Sequence, residues 1–117
     1  MNETTNINKF LKQILMELDE LKAENIVKID IKDRSALGDY IIIASGNSSR
    51  HINSIASRII KKNKRKVISV EGLKTTEWVI VDFGDLILNL FRPDTRDYYS
   101  LEKIWENGVE DEKMNFG

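Results

Sequence analysis

Ile7, Phe10, Leu11, Ile14, Leu15, Leu18 and Leu21 recur at helical spacing and line one face of a first helix. Thr4, Thr5 or Asn6 is placed to cap its start, each offering a side-chain oxygen to a free amide of the first turn. From Ile26 to Ile31 the period changes to two. Val27, Ile29 and Ile31 face one way and Lys28 and Asp30 the other, which predicts a half-buried strand. Tyr40 to Ser45 is apolar on both faces and predicts a strand inside the sheet. Gly46-Asn47-Ser48-Ser49 breaks it and offers a cap to a second helix, which carries Ile52, Ile55, Ala56, Ile59 and Ile60 on one side.

That helix runs into the basic cluster Lys61-Lys62-Asn63-Lys64-Arg65-Lys66. A short strand from Val67 to Val70 follows, then a loop through Glu71-Gly72-Leu73-Lys74. Glu77 to Asp82 and Asp85 to Phe91 read as two strands joined by a tight turn at Phe83-Gly84. That turn sets Asp82 opposite Asp85, Ile80 opposite Ile87 and Trp78 opposite Asn89. Pro93 starts a last helix with Tyr98, Leu101, Ile104 and Trp105 on its apolar side, ended by Gly108.

The predicted fold class is α/β: one domain, a mixed five-stranded sheet and flanking helices over residues 1–107, with a polar tail at 108–117. The strand from Tyr40, the second helix and the strand from Val67 form a right-handed parallel crossover in this reading. The hairpin makes the sheet mixed.

Composition narrows the function classes. The 117 residues suit one domain, and 41% hydrophobic with 32% charged residues is the balance of a folded protein. The absence of cysteine excludes disulfides, thiolate metal sites and cysteine nucleophiles, and fits a reducing cytoplasm. A formal net charge of -1 argues against a molecule built as a whole to coat nucleic acid. No apolar run is long enough to cross a bilayer and no targeting signal is legible, so a cytoplasmic location is expected.

The hairpin carries the most informative chemistry. One of its faces, Val79, Val81, Leu86, Leu88 and Leu90, is aliphatic core. The other sets Trp78, Asp82, Asp85 and Asn89 among isoleucines, the mixture of aromatic anchor and polar rim found at protein interfaces. The alternative is a covered face whose aspartates cap the turn.

A magnesium-dependent nucleotidyltransferase is the rival reading, because Ser45-Gly46-Asn47-Ser48-Ser49-Arg50 lies between a strand and a helix start, where free amides cradle phosphate. Such enzymes carry two acidic residues at alternate positions on the next strand. Val67-Ile68-Ser69-Val70 has none. No catalytic group, metal or cofactor is therefore assigned. His51, the sole histidine, reads as a solvated residue of a first helical turn, and the basic cluster reads as a solvated helix end.

Several stretches in order resemble the ribosomal silencing factor, or Iojap-like, family. They are 35–40 (SALGDY), 44–51 (ASGNSSRH), 70–72 (VEG), 78–85 (WVIVDFGD) and 99–105 (YSLEKIW). The resemblance covers about residues 8–106. It implies a nucleotidyltransferase-like sheet without catalytic carboxylates, and a non-enzymatic protein that binds the fourteenth protein of the large ribosomal subunit. The bound protein would block the small subunit sterically and repress translation when nutrients are short. It also implies a tendency to homodimerise.

On this reading Trp78, Asp82, Asp85 and Asn89, flanked by Asp39 and Tyr99, form the ribosomal-protein contact. RNA contact through Lys61, Lys62, Lys64 and Arg65 is minor. Asn89 stands where the family commonly has histidine, so a contact needing an imidazolium is not expected here. Arg92-Pro93-Asp94 replaces a segment that is often acidic in relatives.

Overall fold

The computed structural model describes residues 3–31 and 38–95. Helix α1 spans Glu3–Glu20, followed by strands β1 (Glu24–Asp30) and β2 (Tyr40–Ser45). Helix α2 (Ser49–Lys62) and a 3-10 turn (Lys64–Lys66) lead to β3 (Ser69–Glu71), β4 (Trp78–Asp82) and β5 (Leu86–Phe91). Residues 93–95 are helical, so the last predicted helix does begin at Pro93. Its apolar face, Tyr98 included, and the polar tail lie outside the described residues.

The five strands form one mixed sheet in the order β1-β2-β5-β4-β3. β2 and β5 are parallel, and the other neighbours are antiparallel. The predicted crossover needs correction in one respect. β3 does run parallel to β2, but it lies at the far edge of the sheet, with β5 and β4 between them. Burial explains the order. All of β2 is buried and nearly all of β5, so these two take the interior, whereas β3 exposes Ser69 and Glu71 and is suited to an edge.

Both helices pack on one face of the sheet. Ile14 and Leu18 of α1 and Ile52, Ile55 and Ile59 of α2 are fully buried against Ile42, Val79, Val81, Leu86, Leu88 and Leu90. Burying each such side chain contributes about 1.5–3 kcal/mol. The opposite face gathers Ile29, Ile31, Ile41, Ile43 and Phe91, with Val27 and Trp78 against them.

Three boundaries differ from the sequence reading. α1 starts at Glu3, upstream of the expected caps Thr4, Thr5 and Asn6. β3 starts two residues later than expected, because Lys64–Lys66 continue as a 3-10 turn after the α2 cap at Asn63. The hairpin turns at Gly84-Asp85 rather than Phe83-Gly84. Its register pairs Asp82 with Ile87, Ile80 with Asn89 and Trp78 with Phe91, and the Phe83 amide donates to the Leu86 carbonyl at 2.9 Å. Phe83 is core, in edge-to-face contact with Phe10 at 5.1 Å between centroids. Sinking that ring outweighs placing it in the turn.

Candidate interaction surface

The corrected register keeps Trp78, Ile80, Asp82, Ile87 and Asn89 on one face, adds Phe91 to it and moves Asp85 into the turn. The candidate residues then fall into two groups. Trp78 and Asn89 lie towards one end of the hairpin, and Asp82 and Asp85 at the other. Four residues of strand, about 13 Å, separate Trp78 from Asp82.

At the first end, the Trp78 indole Nε1 donates to Asn89 Oδ1 at 2.8 Å, and its ring tilts against Phe91 at 5.0 Å between centroids. Asn89 Nδ2 donates to the Ile42 carbonyl at 3.4 Å. Asn89 is only 4% exposed. Its side chain is thus spent on holding the half-buried tryptophan, and its part in any contact is to orient Trp78.

At the second end, two stretches of the sequence interlock. The amides of Asp39 and Tyr40 both donate to the Asp85 carbonyl, at 2.7 and 3.0 Å. Gly38 sits so close that a Cβ there would meet the Gly84 and Asp85 carbonyl oxygens at 2.8 and 3.1 Å. Only a residue without a side chain lets these two turns touch. Asp82 Oδ1 accepts the Gly84 amide at 2.7 Å, so this aspartate does cap the turn. The result is three carboxylates at one end of the sheet, with Asp85 exposed and Asp39 and Asp82 half-buried. Among the described residues the sole ion pair joins Arg92 and Glu77, so none of the three is neutralised by a neighbour. They do not converge as a metal site either: among the described residues no three acidic or histidine side chains are grouped to hold an ion.

Sequence reasoning passed over one residue at this end. Ile68 is 68% exposed, its amide donates to the Asp82 carbonyl at 2.7 Å, and its Cδ1 lies 3.2 Å from where a Gly84 Cβ would stand. It sets an apolar side chain beside the acidic turn. Expected inside a strand, Ile68 gave no sign of exposure. The signal available was its place in a short segment next to a run of lysines, where an edge is more fitting than a core. Tyr99, the remaining candidate, lies outside the described residues.

The protein itself takes up three amides of the glycine-serine loop and the helix start that follows it. The Gly46 amide donates to the Phe91 carbonyl at 3.0 Å and the Asn47 amide to His51 Nδ1 at 3.0 Å. Ser48 Oγ caps α2 by accepting the His51 amide at 3.1 Å. Thr76 Oγ1 donates to Ser49 Oγ at 2.7 Å, tying the following loop to the same helix start. Amides committed this way are not presented to a phosphate. His51 differs from its expected solvated state. With Nδ1 accepting, Nε2 carries the proton and donates to the Leu21 carbonyl at 2.9 Å, so the ring clamps the end of α1 to the loop before α2.

This fold and the stretches meeting in it match a known family. The family model described as ribosomal silencing factor during starvation matches residues 4–116. The chain belongs to the ribosomal silencing factor family. Among its relatives, the ribosomal silencing factor of Zymomonas mobilis is 39% identical over 106 residues, covering 88% of this chain and 80% of that protein. A more distant relative, the mouse protein named mitochondrial assembly of ribosomal large subunit protein 1, is 32% identical over 94 residues, 75% of this chain and 41% of its own length. The crystal structure of a Chromobacterium violaceum protein superposes with a TM-score of 0.80 at 29% identity, covering 86% of each chain. Family membership fixes a ribosome-related role, and among the described residues no helix is long and apolar enough to cross a membrane.

Proposed function

We propose that this member of the family binds the large ribosomal subunit through its fourteenth protein and bars the small subunit from joining. It thereby represses translation under nutrient limitation and acts in the cytoplasm, where subunits meet. The observation that carries the reading is the family match over residues 4–116. The mouse relative's name, which places that protein in assembly of a ribosomal large subunit, favours the large subunit as the partner.

The contact surface on this proposal runs along the hairpin. Asp39, Asp82 and Asp85 meet lysines or arginines of the partner, Ile68 adds apolar area beside them, and Trp78, oriented by Asn89, contributes at the other end. Tyr99 belongs to the same proposed surface. A contact of standard size, about 1,600 Å² in total, is enough for specific binding and still obstructs a much larger body. No bond is made or broken, so the protein acts by occupying space.

Co-sedimentation with purified large subunits tests the proposal. Wild-type chain is expected to co-migrate at one copy per subunit and to be displaced by excess isolated fourteenth protein. Trp78→Ala is expected to weaken binding by roughly tenfold or more, as loss of an interface aromatic commonly does. Its melting temperature is measured in parallel, because the change also strands the buried Asn89 oxygen. A folded Trp78→Ala that binds like wild type removes Trp78 from the contact, and wild type that never co-migrates sinks the proposal.

A further inference from the structure

Lys9 and Lys12 of α1, Lys62 at the end of α2 and Lys66 of the 3-10 turn that follows line one open groove of about 760 Å³, with Phe10 and Met16 along its floor and rim. Lys61, Lys64 and Arg65, all exposed, neighbour Lys62 and Lys66 along the chain. In the sequence this basic run reads as a solvated helix end, and the α2 dipole does account for Lys61 and Lys62 in the last turn. It does not account for Lys9 and Lys12, which come from a different helix and reach the same groove.

None of these seven cations has an acidic partner among the described residues, where the one ion pair is Arg92–Glu77. The groove's own acids are Glu17 and Glu20. Glu17 is buried, and its two oxygens accept the Gln13 and Asn63 amide groups at 2.8 and 3.0 Å. Lys66 is held with its ammonium 4.2 Å above the Phe10 ring, which fixes a positive charge at the groove mouth without neutralising it. The groove therefore sets four lysines against Glu17 and the exposed Glu20, a lining of net positive charge on the helical layer, whereas three carboxylates gather at the hairpin turn.

We propose that this groove binds the phosphate backbone of RNA. At its size it accepts a run of backbone rather than a single ion, and cations from two helices on either side suit a strand that follows the groove. A membrane surface fits less well. Interfacial binding needs a broad apolar face, and here Phe10 is buried and Met16, 62% exposed, is the sole large apolar side chain at the rim. Its lining shares no residue with the proposed ribosomal-protein contact, and the proposal does not depend on that contact.

The test is fluorescence anisotropy of a labelled RNA hairpin with the full chain over a salt series, without ribosomal protein present. Wild type is expected to bind with a steep salt slope. Combining Lys62→Gln, Lys64→Gln, Arg65→Gln and Lys66→Gln is expected to weaken binding by about 30-fold or more near physiological salt and to flatten the log–log slope by about three to four. Lys9→Gln with Lys12→Gln, on exposed α1 positions, is expected to flatten it by about two. Both variants are expected to keep wild-type binding to the isolated fourteenth ribosomal protein. Absence of hairpin binding by wild type, or slopes unchanged in both variants, overturns the proposal. Tighter binding to phosphatidylserine vesicles than to the hairpin also overturns it, in favour of a lipid surface.

Discussion

Gly72→Ala is expected to cost about 3 kcal/mol or more and to lower the melting temperature by about 10 °C. Gly72 has φ +89, which an L-residue adopts only with strain, and a Cβ there would overlap the Trp78 carbonyl oxygen. The obstacle is backbone, so no side-chain rotation relieves it. The segment is also closed on itself. The Thr76 amide donates to the Gly72 carbonyl at 2.9 Å, and Thr76, 2% exposed at φ 58, spends its hydroxyl on Ser49 and the Thr75 carbonyl. Strain at Gly72 is thus passed to Trp78 on one side and to the start of α2 on the other. Thermal and urea denaturation followed by circular dichroism measure the loss. A melting temperature within about 3 °C of wild type would show that the loop yields easily and does not set the tryptophan.

Reversing charge at the hairpin turn is expected to have the largest effect on binding. Asp39→Lys combined with Asp85→Lys should lower affinity for large subunits by about 100-fold, because two attractive contacts become repulsive. The same pair changed to alanine should lose less, since only attraction is removed. Asp82 is left alone because its Oδ1 holds the Gly84 amide, so changing it would confound folding with binding. At the other two positions the backbone makes the turn contacts, through the Asp39 amide and the Asp85 carbonyl, and these survive a change of side chain. Stability should therefore stay close to wild type. Equal affinity for the reversed and native chains would place the contact elsewhere on the molecule.

The two helical faces and the alternation in β1 were legible because burial of one side imposes a period on the sequence. β2 was legible as an interior strand because Tyr40 to Ala44 leaves no polar side for solvent. The hairpin was legible in its faces but not its register. Val79, Val81 and then Phe83 continue a single alternation, and Phe83 follows it into the core, displacing the turn by one residue. A phenylalanine beside a glycine has the local chemistry of a turn, but burial of its ring decides the register.

Strand order was less accessible, since it depends on which strands compete for the interior, and β5 outcompetes β3 by having two apolar faces. The candidate surface was legible as a set of side chains but not as two separated ends. Trp78–Asn89, the diagonal pair that buries Asn89, follows from a register that local pattern does not fix. The clamp made by His51 joins residues thirty apart in sequence, and nothing local announces such a contact.

Obstruction of subunit joining is tested by light scattering or gradient analysis of purified large and small subunits mixed with saturating wild-type chain. Joined ribosomes are expected to fall in proportion to large-subunit occupancy and to return when the Asp39→Lys, Asp85→Lys chain replaces the native one. Normal yields of joined ribosomes on fully occupied large subunits would contradict it.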